Sequence, residues 1–228
     1  MDTILNKDFT YRSASQINEA MGRVYGHMGI AVLISMLVSF WVGNTPELLE
    51  FFFTGIMKWI TVFAPLVFII LTPVVFNAGI NKLGATLMLD VFAALMGLSF
   101  STIFAVYSLG SVVEAFMGSA ILFGTMSFYG YFTKKSLDSI GQFLIVGLIA
   151  ILIASIINIF IGSTIAQMVI SALAIIIFLG LTAYDTQKIR EELMDNTERN
   201  AEIYGALTLY LDFINIFLNL LSILGDRK

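Results

Sequence analysis

The chain has 228 residues, of which 58% are hydrophobic and only 12% charged, with a net charge of −4. A soluble chain of this size carries about one-quarter charged residues and needs a polar shell around its core, so the bilayer is the expected solvent. No cysteine is present, which removes disulfides and thiolate metal sites, and no basic cluster suited to nucleic acid occurs.

Residues 1–23 hold Asp2, Lys7, Asp8, Arg12, Glu19 and Arg23 without an apolar core. They read as a cytoplasmic N-terminal segment rather than a cleavable signal peptide, followed by one transmembrane domain over 24–228. No segment shows the alternating pattern of barrel strands, which leaves a helical bundle. Seven apolar runs qualify as spans: 26–43, 59–76, 83–107, 112–132, 140–161, 164–184 and 203–224. A six-span variant with a re-entrant last run is the alternative.

Pro65 and Pro73 in the second span free carbonyls that neighbours or water must satisfy. In the fourth, Gly118, Ala120, Gly124, Ser127 and Gly130 permit close helix approach. Gly162-Ser163 allows only a tight hairpin between the fifth and sixth spans, whereas 185–202 reads as a polar connection.

Lysine and arginine divide unevenly between the two ends. Lys7, Arg12, Arg23, Lys82, Lys134, Lys135, Lys188, Arg190 and Arg199 fall on the side of the N-terminus. Only Lys58, Arg227 and Lys228 fall on the other. The positive-inside rule then predicts a cytoplasmic N-terminus and an outer C-terminus.

The seventh span is unusual. Gly205, Thr208, Asp212, Asn215, Asn219 and Ser222 follow at steps of three and four residues, an arc of roughly 100° on a helix. Asp90, Glu114, Asp185 and Asp212 lie in or at the ends of spans, with no lysine or arginine inside any of them. An intramembrane aspartate costs roughly 2.5–3.5 kcal/mol on insertion scales and usually marks a pathway or relay. By helical rise, Asp212 lies ~12 Å from the start of its run. Asp185 closes the sixth span at the same side, and Asp90 enters the third at similar depth. Glu114 reads as an interfacial carboxylate. His27, the only histidine, has the chemistry of a pH switch, but a lone interfacial histidine is usually only that.

Tyr184-Asp185-Thr186-Gln187, then LYLDFIN at 209–215, resemble the transmembrane Bax inhibitor motif family. ALMGLSFSTIF at 94–104, EAF at 114–116 and TMSFYGYFTKKSL at 125–137 are also similar to it. The resemblance implies an all-α membrane protein, a seven-transmembrane-helix bundle with the seventh helix central, which suits the polar stripe. It also implies a pH-sensitive calcium leak of a bacterial inner membrane. In that reading Asp185 and Asp212 are a shared-proton gating pair and transient calcium ligands. Thr208, Asn215, Asn219, Ser222 and Asp90 are candidates to line the path. Calcium is then the permeant ion and no cofactor is expected. The alternative is a non-conducting protein that binds a membrane-embedded ATP-dependent protease or another membrane complex. One departure stands out: some relatives carry an arginine at the end of the second span, near the aspartate pair, where this chain has VVFNAGINKL with only Lys82.

No enzymatic activity is expected. An intramembrane aspartyl protease would need Gly-x-Gly-Asp, but Leu209-Tyr210-Leu211 precedes Asp212. A retinal protein would need a lysine in the seventh span, and a secondary transporter would show internal repeats.

Overall fold

A computed structural model describes residues 12–77, 79–195, 200–226 and 228, with the side chains of Asn77 and Asp195 left aside. The candidate cytoplasmic residues 1–11, and with them Lys7, lie outside the described residues, as do Arg199 and Arg227.

Among the described residues the elements are α1 (Ala14–Gly43), α2 (Pro46–Phe53), α3 (Met57–Asn77), α4 (Lys82–Phe100), α5 (Thr102–Val106), α6 (Leu109–Phe132), α7 (Asp138–Ile161), α8 (Thr164–Asp195) and α9 (Ala201–Leu224). Seven stretches are long and apolar enough to cross a membrane, the third running through α4 and α5 together. The last is a 24-residue helix, so the seven-span reading replaces the re-entrant one.

Local chemistry sets several boundaries. Ser13 and Gln16 form a reciprocal capping box at α1, so the first helix starts well before residue 26. Asn81 accepts from the Gly84 amide to open α4, and Ser108 accepts from the Ser111 amide to open α6. Gly162 closes α7 at φ 69°, a left-handed cap that a side chain would strain; the expected tight α7–α8 hairpin follows. The third span is broken at Ser101, whose buried hydroxyl donates to the Leu98 carbonyl.

One boundary departs from expectation in a way that matters. The sixth span does not end at Tyr184: α8 continues to Asp195. Thr182, Thr186, Ile189 and Leu193 recur at steps of four, three and four residues and are all buried, so an apolar face carries the helix through a stretch rich in charge. Asp185 is therefore mid-helix, with more than two turns beyond it.

α9 is the best-buried of the spanning helices. It packs along α8, α6 and α1, and more lightly on α4. α7 leans on α8 and α3 on α4 as an outer layer, with α3 reaching α9 where Phe76 meets Tyr204. The core around α9 includes Phe92, Tyr210, Phe213, Phe123 and Ile216, with Phe213 edge-on to both Phe116 and Phe123.

α3 passes through both prolines. Pro65 removes the partner of the Thr61 carbonyl, and the Ser99 hydroxyl of α4 donates to that carbonyl instead. Gly130 is the close-approach residue of α6: a Cβ there would run into the Ala183 carbonyl oxygen of α8.

Candidate functional site

α8 and α9 run antiparallel, and their contacts fix a register. Gly205 lies against Ile189, the carboxyl groups of Asp212 and Asp185 lie within hydrogen-bonding reach of each other, and Ser222 meets Ser171 at 3.3 Å. The polar stripe of α9 thus faces α8 from one end of the seam to the other.

The two aspartates differ in setting. Asp185 is half-buried, while Asp212 is 4% exposed. Asp212 Oδ2 is sealed from solvent and meets no hydrogen-bond donor among the described residues. Two ionised carboxylates in contact repel, so this contact is favourable when a proton lies between them, and the pair titrates as a unit.

Among the described residues, the charged side chains that act on the pair are acids. Each aspartate acts on the other, and Glu192 adds to the negative potential at Asp185. Glu192 follows Asp185 by seven residues, two helical turns, and so shares its face. Sequence reasoning passed over it because 185–202 was read as a connection; the seven-residue spacing was the available signal.

Two basic side chains of the same end of the bundle are engaged elsewhere. Lys82 Nζ lies 3.0 Å from Glu202 Oε2, and the Arg190 guanidinium sits over the Tyr131 ring of α6 at 5.2 Å. Neither takes the place of the arginine that some relatives carry near the pair.

Glu202 itself was not anticipated as a centre. It is buried in the first turn of α9. Arg23 grips it twice, Nε to Oε2 at 2.9 Å and Nη2 to Oε1 at 2.7 Å, and Arg12 Nη1 approaches Oε1 at 3.8 Å. With Lys82, three cations converge on one carboxylate and join the start of α9 to α1 and α4. A carboxylate at a helix N-terminus is further favoured by the helix dipole.

The rest of the stripe is satisfied largely by its own helix. Thr208 Oγ1 donates to the Tyr204 carbonyl, Asn215 Nδ2 to Leu211 and Asn219 Nδ2 to Asn215. These bonds use the donors and leave the amide oxygens, the atoms a hard cation takes, outside them. Beyond Ser222 the polar seam continues onto α7 and α8. Ser171 accepts from Gln167 Nε2, and Asn158 Nδ2 donates to Gln167 Oε1. Asn158 is buried and its Oδ1 has no partner among the described residues. Gln167 and Asn158 were missed because their alignment with Ser222 depends on the α7–α8 hairpin.

Asp90 is half-buried on α4, which packs chiefly on α1 and α3, and no described contact joins it to the pair. Glu114 is exposed near the start of α6. His27 is half-buried on α1. Among the described residues no three His, Cys, Asp or Glu side chains converge as a metal cage.

Residues 17–228 match the family described as inhibitor of apoptosis-promoting Bax1. The chain belongs to that family. The inner membrane protein YbhL of Escherichia coli is 37% identical over the whole length of both chains. An uncharacterized protein of Borreliella burgdorferi is 37% identical, covering 92% of this chain and 93% of its own. The uncharacterized protein YrjE of Lactococcus lactis is 35% identical, covering 92% and 91%. This Bax inhibitor family chain is an integral membrane protein, and the resemblance noted at LYLDFIN and Tyr184-Asp185 is a family relationship that spans nearly all of it.

Proposed function

We propose that this protein is a pH-sensitive calcium or cation leak of a bacterial inner membrane, gated by Asp185 and Asp212. What carries the reading is the pair itself: two carboxyl groups within hydrogen-bonding reach between the two most intimately packed helices, one sealed from solvent and neither faced by a basic group among the described residues. With a shared proton the pair closes the seam. Loss of the proton leaves two charges in a poorly solvated site, and either α8 and α9 separate there or a cation enters. Flux therefore rises as pH rises through the titration of the pair.

Calcium takes six to eight oxygens. Two carboxylates, the amide oxygens of Asn215 and Asn219, and water supply a weak set, suited to passage rather than storage. Glu192 attracts cations from the basic end of the bundle, and Ser222, Ser171, Gln167 and Asn158 continue the polar wall towards the opposite end. The inner-membrane setting rests on the Escherichia coli relative, whose name places that protein there. The excess of lysine and arginine supports a cytoplasmic basic end. In this reading the chain is not an enzyme.

Calcium efflux from liposomes holding the purified protein alone, measured across pH, is the test. Wild type leaks with a pH-dependent rate, whereas Asp185→Asn and Asp212→Asn leak at a rate flat in pH. A wild-type pH profile in Asp212→Asn removes the gating pair. Absence of any flux from folded wild type favours the non-conducting reading, in which the protein acts by docking on a membrane-embedded protease or another membrane complex.

A further inference from the structure

At the end of the bundle away from Glu202, α1 and α6 make no substantial contact with each other, although both pack on α9. Between them runs an open groove of about 240 Å³. Its walls include Met36 and Phe40 of α1, Phe104 of α5, Val113 and Phe116 of α6, with Phe217 of α9 as floor. Two serines reach it from α1, Ser35 and Ser39. The Ser35 hydroxyl is already bonded to Tyr210 and the Ala93 carbonyl, at 2.7 Å each.

A surface of this kind does not hold water: apolar cavities stay dry, and one of ~150 Å³ is large enough to take a benzene. Leaving it empty forfeits dispersion contacts along its walls. The groove opens sideways, through the strongly exposed Leu37, Leu109 and Val113, on helices that cross the membrane. The medium facing it is therefore lipid.

The rim carries both signs of charge. Lys228 Nζ donates to the carbonyl of the groove residue Phe104 at 2.8 Å, which fixes a cation at the mouth. The Asp226 amide donates to Ser111 Oγ at 3.0 Å, one residue from the groove-lining Val112. Asp226 is exposed there. A purely anionic headgroup meets Lys228 but also the Asp226 carboxylate. A headgroup with one phosphate and one primary ammonium satisfies both signs, since the phosphate pairs with the lysine and the ammonium donates to the aspartate.

We infer that the α1–α6 groove is a phospholipid site, holding one acyl chain against Phe104, Phe116 and Phe217 with a phosphoethanolamine headgroup at Lys228 and Asp226. The site stands on the apolar groove and its rim, independently of the cation path.

The test uses the purified chain in nanodiscs doped with phosphatidylethanolamine bearing a mid-chain photoreactive group, with labelled peptides identified by mass spectrometry. Labelling of the α1 and α6 walls exceeds that of the equally lipid-exposed α7 face at Phe143, Val146 and Ile149. Val113→Trp and Leu37→Trp, which fill the groove from opposite walls, each lower that labelling about fivefold, a difference readily resolved in a binding ratio. Val146→Trp on α7 leaves it unchanged. Two groove variants are used so that a folding defect in one does not decide the result. Labelling no stronger in the groove than on α7, or unchanged in both groove variants, overturns the site. Equal groove labelling by phosphatidylglycerol and phosphatidylethanolamine probes overturns the headgroup assignment, and Lys228→Ala lowers groove labelling by the phosphatidylethanolamine probe if it holds.

Discussion

Two acids on the same helix, Glu202 and Asp212, have opposite surroundings. They are ten residues apart, ~15 Å along α9 by helical rise, and both side chains are buried. Glu202 is met by Arg12, Arg23 and Lys82. Asp212 is met by a second carboxyl group, and Glu192 adds a further negative charge at its partner. A buried carboxylate held by several cations stays ionised and ties helices together. One held against another acid changes state with a single proton. The same side-chain chemistry therefore yields an anchor at one level of the bundle and a switch at the next, according to what the neighbouring helices present.

Exchanging the charge at each position should separate the two roles. Asp212→Asn is expected to keep the fold and lose all pH dependence of calcium flux. Glu202→Gln is expected to do the reverse, keeping the pH profile while costing about 1–3 kcal/mol of stability. That range lies below the cost of breaking a fully buried pair because Arg23 and Lys82 remain partly exposed. Thermal melting in detergent beside liposome flux reads both, and a Glu202→Gln protein as stable as wild type would show that the cluster anchors nothing.

Closeness of α6 and α8 is what seals the seam behind the pair, through Gly130 and the contacts that join Tyr25, Ser127 and Thr186 at 2.6 and 2.9 Å. Gly130→Val should lower stability by about 1–3 kcal/mol through overpacking; an unshifted melting transition would mean the helices separate at no cost. A smaller effect is expected from Glu192→Gln. Removing that negative charge makes loss of the shared proton easier, so the flux profile should move to lower pH with its shape kept. A profile that stays in place would exclude Glu192 from the field at the pair. The smallest change belongs to Ser99→Ala, which leaves the Thr61 carbonyl beside Pro65 without its donor. About 0.6–1 kcal/mol is expected, as for single interhelical hydrogen bonds in membranes, and hydrogen exchange on α3 compares it with wild type.

Composition and periodicity alone determined that this chain crosses a membrane as seven helices, that α9 carries a polar stripe, and that its acids lack bases inside the apolar runs. These are local properties: hydropathy is summed over neighbours in the chain, and a stripe is a matter of 100° per residue. The family motifs added Asp185 to Asp212. Tertiary structure alone decided the partners. Nothing in the local pattern says that Glu202 will be gripped by an arginine 179 positions away, or that Lys82 will be spent on it rather than on the aspartates. The same holds for the course of α8 past Asp185, where burial of Ile189 and Leu193 overrides a charged stretch. It holds too for the groove between α1 and α6, two helices that both pack on α9 and meet each other at Tyr25 and Ser127 but not along the groove. Electrostatic pairing and gaps between helices arise from three-dimensional packing, and that is where this protein separates its anchor from its switch.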